Sequence, residues 1–123
     1  MTRVDFFHTM KEMSKAQPLS ERELLILLAL IRLEPEAYGV PIAREIEARA
    51  GRMVALSSVY TALDRLEARG LVKSNLGEAA SVRGGRAKRY FQVTAQGVRE
   101  LRDMRRALTT MWTGIPTLEG GKA

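Results

Sequence analysis

The sequence predicts a mainly α fold with one small β-hairpin. Helical periodicity recurs in three short stretches between residues 20 and 70, two strand-like runs follow at 71–76 and 88–93, and a longer amphipathic stretch begins after Thr94. The 123 residues, 46% apolar and 28% charged, are near the globular average and amount to about one domain, able to bury roughly two-thirds of its unfolded surface.

The elements follow in order. Residues 1–18 form an N-terminal extension in which Val4, Phe7 and Lys11 share one helical face, with Phe6, Met10 and Met13 beside it. A short amphipathic helix is expected over 3–14, needing this chain's core or a second subunit's to hold it. Ser20 stands three residues before Glu23, the spacing of a capping box, so a helix starts here. Leu24, Leu27, Leu28 and Ile31 recur at i, i+3, i+4 and i+7, and Leu25, Ile26 and Leu30 widen the stripe until the helix is apolar nearly all round, as a central core helix is. It is expected to stop near Leu33, because Glu34 precedes Pro35 and is disfavoured in the helical region.

Tyr38-Gly39-Val40-Pro41 opens a second helix with Pro41 in its first turn, Ile42, Ile46 and Ala50 on one face and Gly51 at its end. Ser57 or Ser58 is expected to cap a third helix that buries Val59, Leu63 and Leu66 and closes at Gly70. Leu71 to Leu76 and Lys88 to Val93 then read as a hairpin around a polar loop containing Gly84-Gly85. Thr94 caps a final helix, 95–115, in which Val98, Leu101, Leu108, Trp112 and Ile115 form a heptad-like seam, flanked by Met104 and Met111 and interrupted by Arg105. Residues 116–123 are expected to be a disordered tail. Two helices joined tightly, the second with a polar outer face and a hairpin attached, make residues 19–94 a winged helix-turn-helix, flanked by N-terminal and C-terminal helices suited to dimerisation.

Composition narrows the function. With no cysteine there is no disulfide scaffold, thiolate zinc site or cysteine nucleophile, which fits a reducing cytoplasm. His8 is the one histidine, so a Ser-His-Asp site would have to use it; no motif of that kind accompanies it, and it reads as a surface or interface residue. Glu21, Glu23, Glu34 and Glu36 lie near helix ends and read as capping or solvation, and no metal or cofactor is expected. Gly84-Gly85 has neither the GK[ST] nor the GxGxxG context of a nucleotide loop. An enzyme is therefore not expected. The longest apolar run, Leu24 to Ile31, falls far short of the roughly 20 residues of a membrane span. Asp5, His8, Lys11 and Glu12 interrupt any secretion signal. Twenty basic against fourteen acidic residues give a net charge of +6 and a pI near 10.2, a balance suited to nucleic acid or another anionic surface.

Two clusters fit that charge. The third helix should present Ser57, Ser58, Tyr60, Thr61, Asp64 and Arg65 outward, where hydroxyls beside a helix N-terminus suit phosphate and base-edge contacts, although a solvated face has the same composition. Tyr60 either touches DNA or packs under the hairpin. No acidic residue lies between Glu78 and Glu100, whereas Arg83, Arg86, Lys88, Arg89 and Arg99 do. A hairpin so charged can follow a DNA backbone or enter a minor groove; the plainer alternative is a solvated loop. Trp112 is either an interface or core anchor or, with Met104, Leu108 and Met111, the wall of a cavity for a flat apolar effector.

Over roughly residues 19 to 112 the chain resembles the PadR family of bacterial winged-helix transcriptional regulators, in particular its short members with a single C-terminal helix. The carriers are Tyr38-Gly39 with Ile42 and Ile46, Leu56 to Leu63 with Leu66-Glu67 and Gly70-Leu71-Val72, and Gly84-Gly85-Arg86-Ala87-Lys88-Arg89-Tyr90-Phe91-Gln92-Val93-Thr94 with Gly97. The loop between Gly70 and Gly84 is longer than usual, Ala87 stands where a further basic residue is common, and the extension before Ser20 is longer than in many relatives. The resemblance implies a homodimeric repressor placing two recognition helices in successive major grooves of a palindromic operator, with flat aromatic or drug-like effectors in some short members. By position, Ser57, Ser58, Tyr60 and Thr61 would contact DNA from the recognition helix, and Arg83, Arg86, Lys88 and Arg89 from the wing; Arg65, on the same polar face, is expected to join them. The competing expectation is a protein-interaction module whose basic hairpin meets an acidic protein without specific DNA binding.

Overall fold

The computed structural model describes residues 17–77 and 88–119; the expected N-terminal helix over 3–14, His8 and the hairpin loop with Arg83 and Arg86 lie outside them. The first helix, α1 (Glu21–Leu33), starts through both halves of the capping box: the Ser20 hydroxyl accepts from the Glu23 N–H at 3.1 Å, and the Glu23 carboxylate accepts from the Ser20 N–H at 2.9 Å. Ile26, Leu27, Ala29 and Leu30 are buried, while Leu28 and Ile31 remain partly exposed.

The second helix, α2 (Gly39–Ala50), ends at Gly51 and turns Ile42 and Ile46 inward. Ala50, expected on the same face, lies exposed beyond the edge of the core. The third helix, α3 (Leu56–Ala68), corrects the expected serine cap: Ala55 is the N-cap, with no side-chain cap bond, and Ser57 and Ser58 sit inside the first turn. Leu56 packs against Gly39 and the Val59 N–H donates to the Ala55 carbonyl at 3.1 Å, so an apolar contact rather than a hydroxyl sets the start. At the other end Gly70, at φ +79°, forms a Schellman motif. Its N–H donates to the Glu67 carbonyl and that of Leu71 to the Leu66 carbonyl, both at 3.0 Å. A side chain at that φ would be strained.

Strands β1 (Val72–Leu76) and β2 (Arg89–Val93) pair antiparallel from Val72 opposite Val93 to Leu76 opposite Arg89. Val72, Phe91 and Val93 face the core. The Phe91 N–H also donates to the Ala37 carbonyl at 2.9 Å, which ties the hairpin to the connection between α1 and α2. Thr94 then caps the fourth helix, α4 (Ala95–Trp112), accepting from the Gly97 N–H at 3.1 Å while its hydroxyl donates to the Gly70 carbonyl at 2.7 Å. The expected continuation to 115 stops at Trp112, because the chain turns out at Thr113 and Gly114 (φ +88°). A helical turn, α5 (Pro116–Glu119), occupies the start of the expected disordered tail, opened by a proline whose fixed φ suits a first turn. Helix α1 is the hub, packing against α2, α3, β2 and α4. The whole is a winged helix-turn-helix, with α2, the turn and α3 as the motif and the hairpin as the wing.

Helix α4 meets the base of the hairpin at Gly97 with no room for a side chain: a Cβ there would run into the carbonyl oxygen of Leu71, just before β1, and lie 2.6 Å from a Val93 methyl of β2. Because one obstacle is backbone, Gly97→Ala is expected to destabilise the protein by about 1–3 kcal/mol, the usual cost of overpacking. Chemical denaturation of the two proteins measures it.

Candidate nucleic-acid interface

The inner face of α3, with Val59, Ala62, Leu63 and Leu66, is fixed in the core, and this dictates which side chains point out. Ser57, Tyr60, Thr61, Asp64 and Arg65 are exposed and Ser58 is half-buried. The Thr61 hydroxyl donates to the Ser57 carbonyl at 2.9 Å, leaving its lone pairs outward. Without a side-chain cap, the first N–H groups of α3 have no side-chain acceptor among these bonds. Ser57, Ser58, Thr61 and Arg65 form one wall of an open groove of about 1220 Å³, whose far wall is the start of α1 and the turn after α2, including Arg22 and Arg52. Arg52 is paired with Glu21 at 2.7 Å. Among the described residues Arg22 and Arg65 have no ion-pair partner, so the groove keeps a positive character.

Tyr60 does not pack under the hairpin. Its ring lies over the first turn of α2, where a Cβ on Gly39 would run into its hydroxyl and ring, and its side remains 41% exposed to solvent. The Tyr38-Gly39 pair of the sequence is thus explained at its second position: glycine leaves room for an aromatic from α3. At the far end of α3, Arg69 reaches back to the start of α1, donating to the Gln17 carbonyl at 2.5 Å and lying 3.9 Å from the Glu23 carboxylate. Sequence reasoning missed Arg69. Its only signal is its position at the helix end, and the partners lie far away in sequence.

On the hairpin, Arg89 is exposed, whereas Lys88 has an intramolecular partner. Its ammonium lies 4.4 Å from the centre of the Tyr38 ring and donates to the Tyr38 hydroxyl at 3.3 Å, and the Tyr90 ring meets that of Tyr38 edge-on at 5.8 Å. The hydrogen bond to Tyr38, and the charge that phenol acquires at high pH, raise the Lys88 pKa above its ordinary value; desolvation opposes this, and Tyr90 and Glu36 add to it. A raised lysine pKa means that the folded chain holds the proton more tightly, so the interaction is complete at neutral pH and is lost only as pH rises through that value. Arg83 and Arg86 lie outside the described residues.

Helix α4 divides into two halves. Val98, Leu101 and Met104 pack on the core, whereas Leu108, Met111 and Trp112 stand in solvent, Met111 74% and Trp112 55% exposed, and the stripe runs on through Ile115 and Leu118. Of the four residues read as an effector wall, Met104 thus belongs partly to the core and the other three share the exposed stripe. Among the described residues no group of histidine or carboxylate side chains has the geometry of a metal site, and no helix is long and apolar enough to cross a membrane.

The profile of the transcriptional regulator PadR-like family matches residues 27–103, more than half of the chain. A PadR family transcription regulator from Clostridium difficile R20291 is similar in structure, with a TM-score of 0.64 at 24% identity over 75% of this chain and 91% of that one. A PadR-like transcriptional regulator from Bacillus cereus strain ATCC 14579 gives 0.63 at 23% identity over 81% and 92%. A PadR family transcriptional regulator from Eggerthella lenta DSM 2243 gives 0.61 at 24% over 96% of each chain. No curated protein matches the chain. The fold is common to all three structures, and the family match runs from the hub helix through the motif, the wing and the first half of α4: this protein belongs to the PadR-like family of transcriptional regulators and is a DNA-binding transcription regulator.

Proposed function

We propose that the protein is a homodimeric repressor that binds a palindromic operator through α3 and the wing. The observation that carries this is the bare apolar stripe Leu108, Met111, Trp112, Ile115 and Leu118, which begins where α4 leaves its own core. Side chains of this size on a helix of a soluble regulator call for a partner, and a second copy presents the same stripe. Two-fold symmetry then sets two α3 helices side by side, and half-sites about 34 Å apart follow from one helical turn of DNA. Bound at a promoter, such a dimer blocks polymerase, which makes repression the reading to test first.

On this reading Ser57, Ser58, Tyr60 and Thr61 meet base edges and nearby phosphates and Arg65 and Arg89 meet phosphates, which their exposure on α3 and β2 supports; on grounds of sequence Arg83 and Arg86 join them from the wing. A flat aromatic effector that stacks on Trp112, between Leu108 and Met111 of the paired helices and beside Met104, would shift the relative placement of the two α3 helices and release the operator. No cofactor is needed for either step. A reducing cytoplasm suits a chain of this kind without cysteine.

Four outcomes are expected. Met111→Glu, placed on the bare stripe where it disturbs no core, should turn a sedimenting dimer into a monomer and lower operator affinity at least tenfold, since each half-site alone is a weak site. A wild type that sediments as a monomer at every concentration rules out the dimer. Arg65→Ala should weaken binding to the operator and to a scrambled duplex alike, and reduce the slope of log affinity against log salt by about one, as loss of one phosphate contact does. Tyr60→Ala should instead lower the preference for operator over scrambled duplex; equal losses on both would remove Tyr60 from sequence reading. Titration with flat aromatic compounds, followed by Trp112 fluorescence and by operator release, tests the effector: quenching together with release is expected, and quenching by none sinks it.

A further inference from the structure

The base of the wing is held by contacts that have nothing to do with DNA. Lys88 is the last residue before β2, and its backbone carbonyl accepts from the Gly77 N–H at 2.7 Å, closing the ladder one step beyond Leu76 and Arg89. Its side chain crosses to the connection between α1 and α2, where the ammonium lies over the Tyr38 ring and donates to the Tyr38 hydroxyl. Tyr90, on the same face of β2 two residues later, meets Tyr38 edge-on, and its other side is pressed so close to Gly77 that a Cβ there would strike the ring. Tyr38 in turn is the N-cap of α2 but makes no cap bond with its side chain, so the phenol is free to receive the lysine. The Phe91 N–H to Ala37 carbonyl bond lies beside this cluster and fixes the same two segments through their backbones.

We infer that Lys88 is a wing-positioning residue, a cation latched onto Tyr38 that sets the angle of the hairpin relative to the helix-turn-helix, and not one of the lysines that neutralise phosphate. An ammonium has three donors and a free choice of direction, and a lysine meant for DNA gains nothing by facing an aromatic of its own chain. A cation over a tyrosine face is attracted by the ring quadrupole, and the hydroxyl bond adds direction. The latch joins the wing to the residue that starts α2, so whatever moves the wing must first break it. The neighbouring Arg89, exposed at the next position of the strand, remains open to the DNA backbone.

This role rests on the DNA-binding reading, and the test separates the two. The wild type first selects a duplex from a randomised pool; failure to select or retain any duplex overturns the DNA reading and, with it, this role. The free protein is then examined by NMR, where the Lys88 ε-methylene protons should be shifted upfield by the Tyr38 ring and return to ordinary positions in Tyr38→Leu. Ordinary positions in the wild type overturn the latch, whatever DNA does. On the selected duplex, Lys88→Met, Tyr38→Leu and the double variant should each lose about two- to fivefold in affinity, the range for one exposed cation–π contact. The double variant should lose no more than either single one, and the salt slope should stay unchanged in all three. A slope lowered by about one in Lys88→Met, with Tyr38→Leu silent, identifies a phosphate contact and overturns the inference. Unchanged affinity in all three variants overturns it as well.

Discussion

Ile26, Leu27 and Leu30 turn their side chains into the space where α2, α3, β2 and α4 meet, and every functional direction in the molecule is referred to that contact. Each such side chain, fully buried, contributes on the order of 1.5–3 kcal/mol, so the seating of α1 is a large stabilising contact in so small a chain. The outer face of α3 is polar because its inner face is committed to α1 and α2. The groove beside it exists because the capped start of α1 stops short of α3. Glu23 makes the connection literal: one carboxylate completes the capping box and lies 3.9 Å from Arg69, at the far end of α3.

Close backbone approach is the second constraint. At Gly97 the fourth helix comes down onto the Leu71 carbonyl, and at Gly39 the second helix makes room for Tyr60. These two positions hold α3 from both sides, one through the aromatic that covers the start of α2 and the other through the strand that leaves Gly70. Thr94 adds a bond from α4 to the Gly70 carbonyl, and its own N–H donates to the Leu71 carbonyl at 3.0 Å. Helix α3 is thus clamped at its end by hydrogen bonds that fall in a single short stretch of chain. A reading surface made of short polar side chains needs such a frame, since a serine reaches only as far as the backbone that carries it.

Helix α4 divides into two regimes along its length. Its first half closes the core of its own domain through Val98, Leu101 and Met104, and its second half carries apolar side chains that remain largely in solvent. Arg102, Asp103, Arg105 and Arg106 mark the change from one regime to the other, with Arg106 and Asp103 paired at 3.5 Å on the surface. The continuous seam read from the sequence is real as a periodicity, but it is divided between an internal contact and a bare one.

Much of the fold was legible in the residues. The capping box at Ser20, Pro35 after Glu34, Gly51, Gly70 and Thr94 mark the helix boundaries to within a residue or two, and both strands of the hairpin fall inside the two strand-like runs. The start of α3 was misread at Ser57 and Ser58, because a hydroxyl at the right spacing looks like a cap whether or not an apolar neighbour such as Leu56 has already begun the helix. The candidate site was legible as composition: of the set that periodicity turns outward on α3, Ser57, Tyr60, Thr61, Asp64 and Arg65 are exposed and Ser58 is half-buried. What could not be read was which polar group is already engaged. Lys88 and Arg89 are indistinguishable in a basic run, yet one is held by Tyr38 and the other is open, and Arg69 looks like any arginine at a helix end until Gln17 and Glu23 are beside it. The sequence by itself determined the elements, their order and the polar face, because caps, breakers and periodicity act over a few neighbouring bonds. Only the tertiary structure decided the partners of Lys88, Tyr60 and Arg69, because those contacts join segments brought together by the packing of α1, and no local pattern encodes that meeting.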